Sequence, residues 1–308
     1  MQISNGMKKF ILRIILLFAI LAIFDFAFGH VMDTIVNRIA GGGQGRDNYI
    51  CNKATEDILI FGSSRAVHHY NAQMLEDSLG MSCYNCGDDG NGIILSYGRL
   101  KMIESRKTPK IIIQDIAVTF DLLNNDNHTY LGWLKSRYDR EGIKEIFEDI
   151  DQTEKYKMQS YLYRYNSKFL QNVFVYLTSF STDTGVKGFR PLNGGLDPMK
   201  VNRNRVITTN NQYDFDPLKL DFVNKFVDLC GDAKLLFVVS PIWYGSDTAQ
   251  YQPIKEICRE HAIPFLDYSN HPKYLHNDEF FKDGTHLNAR GADEFTRDMI
   301  VELRKLGF

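Results

Sequence analysis

Two short stretches carry residue types that could do covalent chemistry together. The first is LIFGSSRAVHHY, residues 59–70, where an apolar run stops at Gly62 and gives way to Ser63 and Ser64, with Arg65, His68 and His69 close behind. The second is FFKDGTHLNARGADEF, residues 280–295, which places Asp283 and His286 just ahead of a final helical pattern. A serine hydroxyl is a poor nucleophile at neutral pH. It needs a base within hydrogen-bond reach, and the base needs an orienting partner. D-x-x-H spacing in a tight turn lets the carboxylate accept one imidazole N–H while the other ring nitrogen faces a serine. Alone, either serine also suits a helix cap, and Asp283 and His286 also suit a polar surface turn. Together the two stretches favour chemistry, with Ser64 attacking, His286 as base and Asp283 as orienter.

The flanking residues are candidates of a second kind. Arg65, in the first turn of a following helix, could contact an anionic substrate or be simply solvated. His68 and His69 are candidate substrate contacts, but neighbours on a helix point about 100° apart and should not both face one site. No H-E-x-x-H motif or carboxylate cluster is evident, so neither a metal nor a cofactor is expected.

Positioning these groups falls to an alternation of strands and helices. DILIF (57–61), residues 82–86, KIIIQDIAV (110–118), KLLFVVSPIW (234–243) and IPFLDY (263–268) read as strands. Helical patterns cover residues 66–79, 92–105, 217–230, 250–261 and 289–305, with Asp216-Pro217 and Asn288 as start signals. Apolar strands alternating with amphipathic helices predict a parallel sheet covered on both faces. Five strands in this rhythm fit a flavodoxin-like, three-layer α/β/α fold, whose sites sit at the carboxyl ends of the strands. Ser64 would then project above the sheet beside helix-terminal N–H groups able to stabilise an oxyanion. The stretch 124–211 breaks the rhythm and reads as a mostly helical insertion that covers or shapes the site. Within it, YLYRYNSKFLQNVFVYL (161–177) reads as an amphipathic helix with an aromatic stripe for packing, and GVKGFRPLNGG (185–195) as loop.

The amino terminus sets the compartment. Lys8, Lys9 and Arg13 precede an apolar run from Ile14 to Phe24, which Asp25 interrupts and Phe26 to Phe28 resume. Residues 1–33 are read as a signal anchor with the amino terminus in the cytoplasm and the rest outside. A cleaved signal peptide, cut near Ala27-Phe28-Gly29, is the rival, and both readings export the domain. The glycine-dense AGGGQGRDN (40–48) reads as a flexible linker, giving a linker over 34–50 and one domain over 51–308. A net charge of -2 gives no reason to expect a nucleic-acid partner. Five cysteines are too few for a disulfide scaffold. Cys83 and Cys86 have C-x-x-C spacing but no second such motif, and read as buried thiols. A bridge from Cys51 to either stays open.

The residues quoted so far resemble the SGNH/GDSL hydrolase superfamily, which uses a flavodoxin-like fold. FGSSR is similar to its first block, with Ser63 at the aspartate position and Ser64 at the nucleophile. DGTHLN is similar to its last block and implies Asp283 and His286 as the partners. NCGDDGNG (85–92) resembles the second block and implies that Gly90 shares the oxyanion hole with the N–H of Ser64. The third block departs: the family's asparagine is missing from IIIQDIAVTFD, and Gln114, Asp115 and Asp121 are no clean substitutes. The resemblance spans roughly residues 55–122 and 233–308. It implies an exported serine esterase or O-acyltransferase acting on an acylated carbohydrate or other small ester. Similar departures occur in membrane-anchored members that modify cell-envelope polymers. A scaffold that has kept the fold for glycan binding or complex assembly is the alternative.

Overall fold

The computed structural model describes residues 4–178, 185–203, 205, 207 and 211–308. Five strands, β1 (Ile58–Phe61), β2 (Cys83–Asn85), β3 (Ile111–Asp115), β4 (Lys234–Val239) and β5 (Phe265–Asp267), form one sheet. All pairs are parallel and the order is β2-β1-β3-β4-β5. Ile58 pairs with both Cys83 and Ile111, and Ile111 pairs with Lys234. Alternation along each strand builds two cores. Leu59, Phe61, Ile112 and Phe237 face one layer of helices, and Ile58, Ile60, Ile113 and Leu236 face the other. The predicted three-layer α/β/α architecture is the observed one.

The helices are α1 (Asn5–Arg38), α2 (Gly42–Asn52), α3 (Ser64–His69), α4 (Ala72–Leu79), α5 (Ile93–Glu104), α6 (Val118–Asp121), α7 (Lys144–Ile150), α8 (Glu154–Lys157), α9 (Tyr161–Tyr165), α10 (Phe169–Thr178), α11 (Pro217–Cys230), α12 (Gln252–Glu260) and α13 (Ala289–Lys305). Asp216 caps α11 through the Leu218 N–H, and Asn288 caps α13 through the Gly291 N–H, as their sequences predict. Among the described residues, α1 is the one helix long and apolar enough to cross a membrane.

Several local expectations change, and the strand expected over 234–243 stops at Val239. The helix expected over 66–79 is two helices. The chain leaves α3 at Tyr70, and the Asn71 side chain accepts the Met74 N–H to start α4, while Asn85 donates to the carbonyls of Ala66 and Tyr70 at the break. The strand expected over 110–118 stops at Asp115 and passes into α6. The flexible linker expected over 34–50 is instead the end of α1 and the largely buried α2. Its glycines serve packing. A Cβ on Gly45 would sit 2.2 Å from the Ala40 carbonyl, and one on Gly43 would sit 3.2 Å from the Trp133 ring.

The insertion at 124–211 carries α7 to α10 and short 3-10 turns; residues 179–184, 204, 206 and 208–210 of it lie outside the described residues. The helix expected over 161–177 is broken into α9 and α10. Its aromatics divide: Tyr165 packs with Met32 and Val36 of α1, whereas Tyr176 is exposed. All five cysteines are buried free thiols, so Cys51 is bridged to neither Cys83 nor Cys86.

Candidate active site

The end of β1 shows why the sequence turns there. Gly62 has φ +136°, and a Cβ on it would lie 2.6 Å from the Asp115 carbonyl oxygen, so only glycine lets the strand close on its neighbour and enter α3. Ser63 occupies the N-cap position but makes no capping bond. Its hydroxyl is buried and has no partner. The helix-cap reading thus fails for Ser63. Ser64 opens α3, where first-turn N–H groups have no acceptor within the helix. Its Oγ lies 2.8 Å from Nε2 of His286.

On the other side of the imidazole, Nδ1 of His286 lies 2.9 Å from Oδ2 and 3.0 Å from Oδ1 of Asp283. The same carboxylate accepts the backbone N–H groups of Thr285 (2.8 Å) and His286 (2.9 Å). Partial burial works against its charge, but the imidazole and these N–H donors hold the Asp283 carboxyl well below the usual range. A carboxylate so bonded is acceptor-only, so it orients the ring with Nδ1 as donor and Nε2 as acceptor toward Ser64.

The loop is fixed from below by His69. That ring is fully buried, and its Nε2 accepts the Leu287 N–H at 3.0 Å while Nδ1 meets Ser240 Oγ at 2.9 Å. Accepting from a backbone N–H leaves the ring proton on Nδ1, and burial pushes the protonated form well out of reach. His69 therefore contacts no substrate. His68 sits at the rim, with Nδ1 2.6 Å from the Arg190 carbonyl and Nε2 3.1 Å from Asp89. The expectation that the adjacent histidines could not share a site is corrected. The His68 and His69 rings both approach the His286 ring edge-on, at 5.8 and 6.3 Å.

Arg65, read from the sequence as a substrate contact or a solvated charge, lines the cavity at Ser64 but is not solvated. It is buried, and its guanidinium is bonded to the carbonyls of Ile116 and Ser240 and paired with Asp115 at 3.5 Å. It ties together the chain just beyond β3 and β4. Asp115 is engaged through Oδ2, which accepts from Tyr70 Oη (2.7 Å) and the Ser240 N–H (3.1 Å), while its buried Oδ1 makes no hydrogen bond and faces Arg65 Nε at 3.5 Å. Gln114 is buried, and its amide donates to the Asp115 carbonyl. Neither Gln114 nor Asp115 is among the residues that line the cavity at Ser64. Asp121 accepts the Ala117 N–H, and burial pushes its carboxyl up to about 7.

Gly90 has φ +69° and is exposed at the tip of a turn closed by the Asn91 N–H on Asp88. It is not among the residues lining the cavity at Ser64. The loop carrying it is fastened from beneath by α2 and α5. Arg46 donates to the carbonyls of Asn85 and Gly87, and Arg99 donates to Asp88 (2.7 Å), Asp47 (3.0 Å) and the Cys86 carbonyl (2.9 Å).

A cavity of about 330 Å³ opens on Ser64 and His286, walled by Ala117, Val118, Phe120 and Ile242. A second, of about 340 Å³, shares Ile242, Gln250 and Thr285 with it and adds Tyr213, Tyr244 and Asp247. Sequence reasoning missed these walls, which come from residues after β3 and β4 with no chemical signature of their own. It also missed Ser240, Arg99 and the supporting role of His69. One group of possible metal ligands lies elsewhere: His128, Asp151 and Glu154. The Lys157 ammonium already sits 3.2 Å from Asp151 and 2.8 Å from Glu154 and offsets one of the two carboxylate charges.

No family model matches the chain, and no curated protein matches it.

Proposed function

We propose that the chain is an exported, membrane-anchored serine esterase or O-acyltransferase of the SGNH/GDSL type. The observation that carries this reading is the relay Ser64 Oγ–His286 Nε2 at 2.8 Å and His286 Nδ1–Asp283 Oδ2 at 2.9 Å, open to a cavity. Ser64 attacks the carbonyl carbon of an ester. His286 takes the hydroxyl proton and returns it to the departing alcohol, while Asp283 stabilises the imidazolium. The oxyanion is held by the Ser64 N–H, with Gly90 as the second donor on a turn that would have to move inward. Ser63 also lines the cavity, and its buried hydroxyl has no partner, so a turn of that side chain would offer a donor in place of the asparagine of the family's third block. The acyl-enzyme passes its acyl group to water or to a sugar hydroxyl, and acylated carbohydrate is the substrate class suggested by the resemblance. The basic Lys8, Lys9 and Arg13 ahead of the apolar part of α1 support a catalytic domain on the outer side of the cytoplasmic membrane.

The alternative of a scaffold that binds without turning over draws on one observation, that Gln114, Asp115 and Asp121 offer the cavity no amide. The full chain in detergent, treated with a fluorophosphonate probe, separates the two. Labelling that disappears in Ser64→Ala supports the enzyme, and a folded wild-type chain that takes no label overturns it.

A further inference from the structure

Most of the insertion's exposed large apolar side chains are concentrated in one stretch. Outside α1, ten large apolar side chains are exposed among the described residues, and six of them lie between 156 and 177: Tyr156, Leu162, Leu170, Phe174, Tyr176 and Leu177. Leu170 is 70% and Leu177 is 74% exposed, and they lie seven residues apart, on one face of α10. A surface of this kind needs an occupant.

Its neighbour indicates which. α9 and α10 pack on the second half of α1: the Phe28 ring meets Phe169 edge-on at 6.1 Å, and Val173 packs with Met32, Val36 and Tyr165. The contact includes a charge. Asp25, inside the apolar part of α1, accepts Ser160 Oγ (2.8 Å) and the N–H groups of Tyr161 (2.9 Å) and Leu162 (2.7 Å). Ile14–Phe24 alone would cover about 16 Å, roughly half of an apolar bilayer core, so a spanning α1 must keep its lipid segment going past Asp25. A bare carboxylate there would be costly. The first turn of α9 satisfies it, and doing so brings α9 and the start of α10 to the level of the outer acyl chains.

We infer that the 156–178 segment is a second membrane-contacting element, docked along the outer half of α1 and presenting Leu162, Leu170 and Leu177 to lipid. The inference rests on the anchored reading of α1 and not on the catalytic one. Tyr156 and Tyr176 supply the amphipathic rings favoured at headgroup level. The domain is then seated on the bilayer rather than hung from it, because α2 also packs where a flexible linker would otherwise run. The Ser64 cavity is then held at a fixed height over the bilayer.

The test uses the full chain in phosphatidylcholine–phosphatidylglycerol vesicles, with Leu170→Cys and Leu177→Cys each carrying a nitrobenzoxadiazole label. Leu21→Cys on α1 and Val301→Cys on α13 serve as references, and circular dichroism melting verifies that each variant is folded. Quenching by doxyl lipids at 170 and 177 to at least about half the extent at 21, with none at 301, is the expected result. Quenching at 21 with 170 and 177 behaving like 301 overturns the inference. So does a blue-shifted but lipid-insensitive label at 170 or 177, which would mean that a second copy or another protein covers the face. An unquenched label at 21 removes the spanning α1 itself, and the inference with it, while leaving the catalytic reading untouched.

Discussion

The backbone N–H of Leu287 donates to Nε2 of His69 at 3.0 Å. This bond joins α3, which begins with Ser64, to the residue directly after His286. On the proposed reading, the nucleophile and the base are thus positioned by one fully buried imidazole that stands outside the Ser64–His286–Asp283 relay. Replacing it leaves a buried N–H without an acceptor, at a cost of about 1–3 kcal/mol. His69→Ala is expected to lower the melting temperature and slow fluorophosphonate labelling of Ser64, and His69→Gln, whose amide oxygen can accept, to recover part of both. Equal loss in the two variants would mean that the ring matters only as packing.

The same histidine makes stability depend on pH with a definite sign. In the unfolded chain it takes up a proton near its ordinary value of 6.5, whereas burial keeps the folded ring neutral. Stability from this group is present above 6.5 and falls as pH drops below it, by at most about 1.4 kcal/mol per unit. Denaturant melts at pH 5 and 7 are expected to show a smaller difference in His69→Gln than in wild type.

Asp121 has the opposite sign. Burial raises its carboxyl to about 7 from 3.8, so the folded state holds a proton that the unfolded state releases. Its contribution is complete below 3.8 and is lost as pH rises through about 7. Asp121→Asn keeps an acceptor for the Ala117 N–H and removes the titration. The variant is expected to gain stability relative to wild type as pH rises from 5 to 8, read from denaturant midpoints at fixed salt. A constant difference across that range would show that the carboxyl titrates normally.

The triad should fail as a unit. Ser64→Ala and His286→Ala are each expected to lower esterase kcat by about 10³-fold or more, and the double variant to be no worse than Ser64→Ala. Asp283→Asn also disturbs the turn, since its carboxylate accepts the N–H groups of Thr285 and His286. It should therefore lose thermal stability along with activity, which Ser64→Ala should not. Additive losses in the double variant would place the two residues in separate steps.

What could be read from the sequence was whatever short-range pattern encodes. The β-branched and leucine-rich runs gave the sheet, because strands buried on both faces are apolar throughout. Asp216-Pro217 and Asn288 marked their helices because capping is local. The relay was legible because G-S-S at a strand end and D-x-x-H in a turn are each contiguous. Three features were not legible, for three physical reasons. Glycines at 43 and 45 look the same whether they give freedom or allow close approach, and only the Trp133 ring and the Ala40 carbonyl decide. Arg65 read as a substrate contact or a solvated charge because its partners, Asp115, Ile116 and Ser240, lie at and just beyond the ends of β3 and β4, far from it in the chain. The break at Tyr70 follows from Asn85, which belongs to another strand.

Arg99 carries the last prediction. Its guanidinium is almost fully buried and joins Asp47 of α2, Asp88 of the following loop and the Cys86 carbonyl. Desolvation disfavours its charge, but the two carboxylates more than offset this and hold it protonated. Arg46 and Arg137 share the same acids, at 3.6 Å from Asp88 and 3.5 Å from Asp47. Arg99→Leu would therefore leave a charge-balanced remnant whose carboxylates have lost their best donor. Removing one member of a buried ion network costs on the order of 3–5 kcal/mol, and the remaining arginines place this case at the lower end. Because Arg99 also holds the loop that leads to Gly90, hydrogen exchange at residues 86–91 should rise more than global unfolding accounts for. If exchange there rises only in step with global stability, the network supports the fold as a whole and has no special hold on the loop beside the site.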